Sequence, residues 1–328
     1  MASSPLVTIL ITNHNYACYL RAAIDSALGQ SYPRIEVIVV DDGSTDASRS
    51  ILEEYGSRIV SILKDQGGQA SALNVGFRAL RGDYVCLLDA DDLFAPDKVS
   101  RVLDGFVARP SAGWVYHEMD YIDGDGCPLS PDQLADQNDV RTLRERRIRY
   151  RDITNIDLRD SLRSGKRLPY ACPAISALSF RRAALAEVMP IPETIARASD
   201  EFPKIAALAL FPGVHLGTVL ALQRIHGNNA ATGCLTSRLD ASVRYLNTAY
   251  HLRSRFAEVA PSADNWFARS FGEVIGVRGV RRALEHPEGR QYIARFFTLS
   301  TWLRQGLRIA FHAVRIRFRQ MRGSGICP

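Results

Sequence analysis

The stretch Tyr84-Val-Cys-Leu-Leu-Asp-Ala-Asp-Asp92 places three carboxylates directly after an apolar run. An apolar run such as 84–88 is typical of a buried strand. Carboxylates crowded at a strand end repel one another, and a hard cation such as Mn²⁺ or Mg²⁺ relieves that repulsion through oxygen ligands. The stretch therefore favours a metal site at Asp89, Asp91 and Asp92. The alternative is a capped helix start, with Asp92 ahead of Pro96.

A second acidic strand end lies upstream, in Ile35-Glu-Val-Ile-Val-Val-Asp-Asp-Gly-Ser-Thr-Asp46. Here an apolar strand over 37–40 ends in Asp41 and Asp42, and the residues that follow are typical of a turn and a helix N-cap. Ligands of open parallel sheets bind at the carboxyl ends of the strands. We therefore expect both acidic strand ends to face one pocket.

The N-terminal third alternates predicted strands with predicted helices. The strands are expected over 7–12, 37–40, 59–63 and 84–88, and the helices over 20–30, 47–55, 69–80 and 96–108. Alternation at this spacing indicates an α/β fold with a mostly parallel sheet covered by helices on both faces.

Three segments stand in order: Pro5-Leu-Val-Thr-Ile-Leu-Ile-Thr-Asn-His-Asn15, Val39-Val-Asp-Asp-Gly-Ser-Thr-Asp46 and Leu88-Asp-Ala-Asp-Asp92. Together they resemble the nucleotide-sugar-dependent family 2 glycosyltransferases, which have the GT-A fold. The resemblance covers residues 5–125 best, resumes at 179–182, 198–201 and 223–228, and fades beyond about 235. It implies an inverting hexosyltransferase that moves a sugar from a nucleotide-diphosphate donor, expected to be a UDP-sugar, to a glycan or lipid-linked glycan. The expected setting is polysaccharide biosynthesis for the cell envelope.

The resemblance also implies roles for single residues in donor and metal binding. Asp91 matches the metal ligand, with Mn²⁺ or Mg²⁺ as the cation. The positions that match nucleotide-sugar contacts are Thr12 and His14 at the base and ribose, Asp42 at the uracil N3–H, Asn74 near the nucleotide, and Asp89 on the ribose side. Leu73 departs from the family, where an arginine commonly precedes the asparagine. The diphosphate contacts therefore stay open, with Lys64 and Gln69 as candidates.

The acceptor side supplies the candidate base. Asp200 matches the carboxylate that takes the proton of the acceptor hydroxyl. Ser199 stands where the family often has an acid, so Glu201 is the second candidate, and an N-cap for a helix starting near Pro203 is the non-catalytic alternative. His226 resembles a late position near the metal or the diphosphate; the alternative is a histidine with a purely structural role.

Domain organisation follows from where the resemblance ends. We predict a GT-A domain over 1–234, with a nucleotide-binding half over 1–125 and an acceptor-side half over 126–234, and a helical extension over 235–328. The apolar stretch 205–222 is interrupted by Pro212 and Gly213 and predicts a buried helix, loop and strand. The six cysteines form no Cys-x-x-Cys pair, and no signal-peptide pattern opens the chain, so a cytoplasmic setting is expected.

The end of the chain is strongly basic. Eight arginines and no acidic residue follow Glu288, whereas the whole chain has a formal net charge of +6. Residues 301–322 have helical periodicity, with an apolar stripe of Leu303, Leu307, Phe311, Val314, Phe318 and Met321, widened by Ile309 and Ile316. This helix is predicted either to bind an anionic membrane surface peripherally, on the cytoplasmic face, or to dock on the chain's own core or a partner. No nucleic-acid-binding module accompanies the charge. A second basic cluster lies at 141–151. It is predicted either to form a solvated helix face or to contact an anionic acceptor.

Other classes of protein remain open at this stage. A haloacid-dehalogenase-like phosphatase also has Asp-x-Asp after an apolar strand, but the upstream Asp-Asp-Gly-Ser unit favours the transferase. A dinucleotide-dependent oxidoreductase is disfavoured, since no Gly-x-Gly-x-x-Gly follows the first strand. A non-catalytic membrane-associated scaffold would keep the fold and the basic helix without turnover.

Overall fold

The computed structural model describes residues 4–130, 133, 152–166, 174–195, 199–227, 229 and 238–323. The basic cluster 141–151 lies outside these residues. The chain forms two compact units: the first comprises Met1–Arg159 and Leu168–Cys234, and the second comprises Asp160–Arg167 and Leu235–Pro328. Whether these units match the predicted domains 1–234 and 235–328 in folding and function stays a prediction.

The first unit is built on one mixed sheet, which has nine strands in the described part of the chain. The strands are β1 (Val7–Asn13), β2 (Ile35–Asp42), β3 (Val60–Lys64), β4 (Tyr84–Asp89), β5 (Leu93–Phe94), β6 (Trp114–Ile122), β7 (Ile153–Ile156), β8 (Leu178–Arg181) and β9 (Gly213–Arg224). Their order is β3-β2-β1-β4-β8-β6-β9-β5, and β7 also pairs with β9. The α/β prediction and its four strands are confirmed.

Strand direction brings the acidic ends together. Strands β1 to β4 pair in parallel, as do β6 and β9, while β8 runs antiparallel between β4 and β6. In this register Thr12 on β1 pairs with Asp89 on β4, and Asn13 pairs with Asp41 on β2. The carboxyl ends of β1, β2 and β4 therefore form one continuous edge.

Helices pack against this sheet because its central strands are apolar on both faces. In the first unit they are α1 (Ala17–Leu28), α2 (Ser48–Tyr55), α3 (Gln69–Ala79), α4 (Lys98–Ala108), α6 (Arg182–Val188) and α7 (Glu201–Leu210), whereas α5 (Arg159–Arg163) lies almost wholly in the second unit. One core cluster joins Ile9 and Val39 of the sheet to Ile24 of α1 and Phe106 of α4, all fully or almost fully buried. The predicted helix, loop and strand over 205–222 are observed as the end of α7 and most of β9.

The second unit contains α8 (Arg238–Arg255), α9 (Ala260–Leu284), α10 (Pro287–Phe296) and α11 (Leu299–Gly323). Its core is aromatic: Phe267 stacks on Tyr292 with ring centroids 4.0 Å apart, and Phe271 stacks on Phe267 at 5.1 Å. A helical C-terminal region is confirmed. No helix within the described residues has both the length and the apolarity needed to cross a membrane.

Helix α11 docks on α9 through a close contact at two glycines. Ile309, Ala313 and Ile316 are buried, and a Cβ at Gly272 would lie 2.5 Å from the Ile309 carbonyl oxygen. A Cβ at Gly276 would lie 2.8 Å from the Ala313 carbonyl oxygen. The helix has two apolar surfaces: Ile309, Ala313 and Ile316 dock on α9, and the described residues of the predicted stripe, Leu303, Leu307, Phe311 and Val314, stay exposed.

Candidate functional site

Three carboxylates meet where β4 ends. Asp89 closes the strand, Asp91 and Asp92 follow in a turn, and one oxygen from each lies within 4.8 Å of the others. Burial, and then the charges of Asp91 and Asp92, raise the pKa of Asp89 well above its usual range. Burial and the Asp91 charge do the same to the pKa of Asp92. Closely spaced carboxylates of this kind form a group of oxygen ligands that fits a hard divalent cation.

Asp92 has a structural part in this cluster. Its Oδ2 accepts the Ser176 hydroxyl at 2.6 Å, and its Oδ1 accepts the Arg224 backbone N–H at 3.0 Å. The Ser176 oxygen in turn accepts the Asp89 N–H at 3.1 Å. Asp92 therefore ties the β4 turn to β9. It does not cap a helix, because α4 begins at Lys98 after Asp97.

His226 closes the other side of Asp91. Its Nε2 donates to Asp91 Oδ2 across 3.1 Å, and Asn229 Nδ2 lies 3.3 Å from the same oxygen. Asn229 also fixes the histidine backbone, since its Oδ1 accepts the His226 N–H at 2.6 Å. The structure thus brings Asp91 and His226 together as a carboxylate–imidazole pair that could hold one cation.

Two tyrosines that the sequence analysis did not single out line the same place. The His226 ring lies 5.6 Å from the ring of Tyr16 and 4.9 Å from that of Tyr19. Burial, and then the Asp91 and Asp89 charges, raise the pKa of Tyr16, which keeps its hydroxyl protonated. The signal for Tyr16 was its position directly after the segment that ends in Asn15; nothing local pointed to Asn229.

At the carboxyl end of β2, the Asp42 carboxylate is surrounded by hydrogen-bond donors. Its carboxylate accepts the N–H groups of Gly67 at 2.9 Å and Gly68 at 2.6 Å, and Lys64 forms an ion pair with it. His14 Nδ1 donates to the Asp42 carbonyl at 2.8 Å. Asp42 and His14 therefore lie at the same edge as Thr12 and Asp89. Lys64, a candidate for the diphosphate, neutralises Asp42 in this structure.

Asp41 has a structural role, but it does not cap α2, whose N-cap residue is Ala47. It is fully buried, and its Oδ1 accepts the Ser44 N–H at 3.0 Å and the Arg49 guanidinium at 3.1 Å. Its other oxygen accepts the Asn13 amide at 3.0 Å. Asp41 thus holds the turn after β2 to the end of β1.

Helix α3 is tied to the acceptor-side half by two amides. Asn74 donates to the Ile191 carbonyl and accepts the Ile191 N–H, each at 2.8 Å. Gln69 Oε1 accepts both the N–H and the hydroxyl of Ser199 at 3.1 Å. Asn74 is therefore engaged with backbone, and its predicted contact with the nucleotide stays a prediction.

The candidate base stands next to its rival at the start of α7. Glu201 is ion-paired with the buried Lys204 ammonium, whereas Asp200 is half-buried at the N-cap position and makes no capping hydrogen bond through its side chain. Burial raises the pKa of Asp200, although Lys204 opposes this. The Asp200 charge also helps to raise the pKa of Asp89, so the two carboxylates lie within electrostatic reach.

Comparison with known proteins places this site in a family. The model of glycosyl transferase family 2 matches residues 8–163. An uncharacterised glycosyltransferase of Nostoc sp. is 33% identical over 242 residues, which is 72% of this chain and 70% of that protein. One from Rickettsia typhi is 46% identical over 101 residues, 31% of this chain and 32% of its own length. The putative teichuronic acid biosynthesis glycosyltransferase TuaG of Bacillus subtilis is 36% identical over 129 residues, 38% of this chain and 51% of its own length.

Among solved structures, residues 1–349 of S. aureus TarS in complex with UDP-GlcNAc match with a TM-score of 0.58 over 95% of this chain and 81% of that one. At 17% identity this likeness shows the fold alone. The Nostoc relative carries the family assignment, because the alignment spans most of both chains. With the ordered motifs, the GT-A sheet and the acidic cluster in place, the chain belongs to glycosyltransferase family 2.

Proposed function

We propose that this glycosyltransferase moves a sugar from a UDP-sugar to a hydroxyl of a glycan or lipid-linked glycan, with inversion and with Mn²⁺ or Mg²⁺. The observation that carries the proposal is the cluster of Asp89, Asp91 and Asp92, half-buried at Asp89 and buried at the other two, with His226 Nε2 3.1 Å from Asp91. A cluster of this kind meets the needs of a reaction that breaks a bond to a diphosphate.

Donor binding is assigned to the edge formed by β1, β2 and β4. Thr12, His14 and Asp42 would contact the base and ribose, with Asn74 nearby and Asp89 on the ribose side. The UDP-GlcNAc complex of TarS supports a UDP-linked sugar, since that protein shares the fold. Asp42 would have to accept the uracil N3–H beside the Gly67 and Gly68 N–H groups that it already binds.

The cation is assigned to Asp91, with His226 as the second candidate ligand. Asp92 is less suited, because both of its oxygens already accept hydrogen bonds. When bound, the cation would supply a Lewis acid that stabilises the negative charge growing on the diphosphate leaving group. Asp91 and His226 would orient the diphosphate, and Tyr16 would shield one side of it from water.

Removal of the proton from the acceptor hydroxyl is assigned to Asp200. A base works best when its pKa lies near the working pH, and burial raises the pKa of Asp200 in that direction. Glu201 is the weaker candidate, since Lys204 already neutralises it. A single base on the face opposite the leaving group gives inversion.

The acceptor class rests on chemistry and on relatives. The name of TuaG links a family member to teichuronic acid biosynthesis, which supports a cell-envelope polysaccharide as the product. Work at the cytoplasmic face of the membrane would suit a lipid-linked acceptor. The phosphatase alternative has no support from the family assignment, and a catalytically silent scaffold is the outcome that turnover measurements would reveal.

The test combines binding and turnover. Thermal unfolding is followed with a panel of nucleotide sugars, with and without Mn²⁺, because a ligand of the folded state raises its apparent stability. UDP release is then compared for the native chain, Asp91→Asn and the control Asp104→Asn, whose carboxylate is 61% exposed in a surface ion pair. We expect Asp91→Asn to lose at least about 100-fold in turnover and the control to lose none.

Three outcomes would contradict the proposal. Phosphate release from phosphomonoesters without nucleotide-sugar binding would indicate the phosphatase. Donor binding without any turnover on glycan or lipid-linked acceptors would indicate a scaffold. Full activity of Asp91→Asn would remove Asp91 from the metal site.

A further inference from the structure

The face of α11 that points away from α9 is apolar and uncovered. Leu303, Leu307, Phe311 and Val314 are 71%, 78%, 62% and 51% exposed. Their spacing of four, four and three residues places them on one side of the helix. Four large apolar side chains in one exposed row are unusual on a protein surface and mark a site of interaction.

A row of arginines runs beside this stripe. Arg304, Arg308 and Arg315 each follow a stripe residue by one position and are exposed. One position is about 100° around an α-helix, so the three arginines lie on the same side of the stripe. In the sequence the pattern continues as Phe318-Arg319 and Met321-Arg322, with no acidic residue after Glu288.

We propose that this face of α11 binds an anionic lipid bilayer, with the stripe among the upper acyl chains and the arginines among the headgroups. Helices with one apolar and one cationic side bind in the plane of such interfaces. A second copy is a poorer occupant, because antiparallel pairing stripe to stripe would bring the two rows of arginines to the same side, where they repel each other. The inference goes beyond the proposed function, since it concerns where the enzyme binds and not what it transfers.

The face of α11 that packs on α9 holds the proposed lipid-binding face in place. Because Ile309, Ala313 and Ile316 are buried against α9, the helix is already formed and oriented before it meets lipid. Binding then needs no folding of the segment, which removes an ordering cost from the affinity.

The first experiment tests the apolar stripe with the full-length protein. Flotation is measured with neutral phosphatidylcholine vesicles and with vesicles that also contain phosphatidylglycerol. Leu307→Glu replaces an apolar side chain that is 78% exposed with an acid. The control, Val107→Glu on α4, also replaces an exposed apolar side chain, which is 76% exposed, with an acid. We expect Leu307→Glu to lose at least about tenfold in binding to the anionic vesicles and Val107→Glu to match the native chain.

The second experiment tests the charge. Arg304, Arg308 and Arg315 are changed together to Gln, and the control changes Arg278, Arg281 and Arg282 of α9, which are also exposed. An arginine at an anionic surface is worth about fivefold in binding, so the first triple variant should lose on the order of 100-fold at low salt. That loss should shrink as salt rises, because salt screens the attraction.

Several results would overturn the inference. Equal flotation with neutral and anionic vesicles would show that electrostatic attraction does not contribute to binding. An equal loss of binding in the two triple variants would show that α11 is not the binding surface. A native chain that is dimeric without lipid, and monomeric as Leu307→Glu, would assign the face to a second copy. Thermal unfolding and donor binding of every variant separate these results from misfolding.

Discussion

At the scale of single residues, adjacent carboxylates in the candidate site differ in their neighbours. Asp89 and Asp91 belong to the acidic cluster that is proposed to hold a cation, whereas both oxygens of Asp92 accept hydrogen bonds, from the Ser176 hydroxyl and the Arg224 N–H. Asp200 is free of the ion pair that holds Glu201 to Lys204. The chemistry available to each acid therefore depends on what already neutralises it.

The contrast at α7 gives a prediction about the base. Asp200→Asn should abolish transfer while the donor and Mn²⁺ still bind, because removing the acceptor proton is separate from recognising the nucleotide. Glu201→Gln should retain most activity and lose some stability, since the ion pair between the Glu201 carboxylate and buried Lys204 would be lost. Single-turnover assays and donor titrations measure the two effects. The reverse pattern would move the role to Glu201.

A buried histidine outside the active site gives a prediction about pH. His117 on β6 is fully buried, and its Nδ1–H donates to the Glu118 carbonyl at 2.8 Å. Burial, helped by the charge of Lys98, lowers the pKa of His117 well below its usual value. The unfolded chain therefore takes up a proton below about pH 6.5 that the folded chain refuses, and stability falls as the pH drops through that range.

The variant His117→Asn keeps a donor near the Nδ1 position but cannot titrate. We expect the native chain to lose up to about 1.4 kcal/mol per pH unit relative to this variant below pH 6.5. Urea unfolding of both proteins at pH 7.5 and pH 5.5 measures the difference. Parallel losses in the two proteins would show that His117 is not the group responsible.

At the scale of elements, the packing of α11 on α9 depends on missing side chains. A Cβ at Gly272 would lie 2.5 Å from the Ile309 carbonyl oxygen, a distance so short that one of the two helices would have to shift. At Gly306 the nearest atom, in the Trp302 ring, is 4.0 Å away. The same change from Gly to Ala should therefore have opposite effects at the two positions.

We expect Gly272→Ala to destabilise the chain by about 1–3 kcal/mol, because the helices must move apart. Gly306→Ala should stabilise it by about 0.5–1 kcal/mol, because alanine is the better helix former. Chemical unfolding followed by circular dichroism gives both values. A neutral Gly272→Ala would mean that α11 does not pack on α9 this closely.

At the scale of the whole molecule, the candidate site and the proposed membrane-binding helix lie in different units. Every predicted site residue lies in the first unit, and α11 lies in the second. The second unit also includes 160–167, where Ser262 donates to the Leu162 carbonyl at 2.7 Å and Asn265 to that of Gly165 at 2.8 Å. The helical unit thus holds a piece of chain that lies inside the predicted domain 1–234.

This division gives a prediction about truncation. Removing residues 299–328 should lower the unfolding temperature, because the face of α9 that holds Gly272 and Gly276 would be exposed. The rise in unfolding temperature caused by UDP-sugar and Mn²⁺ should remain. A shorter deletion, 324–328, serves as the control. Loss of the ligand effect with an unchanged unfolding temperature would contradict the division.

The features of this protein that depend on neighbouring residues alone were predictable from the sequence. An apolar run followed at once by carboxylates specifies both the strand and its acidic end, so β2, β4 and their aspartates were predictable. The three-to-four-residue periodicity of the last helix was equally clear. These features need no knowledge of distant residues, because backbone geometry alone turns the pattern into a face or an edge.

Which of these side chains remain available to bind a ligand or to accept a proton depends on long-range contacts. Asp92 is engaged by Ser176, 84 positions away, and by Arg224, 132 positions away. Two apolar faces of α11 look alike in sequence, and the glycines of α9 select the one that docks. In each case the deciding contact joins residues far apart in the chain, because hydrogen bonds and close packing act over a few ångströms of space whatever the separation in sequence.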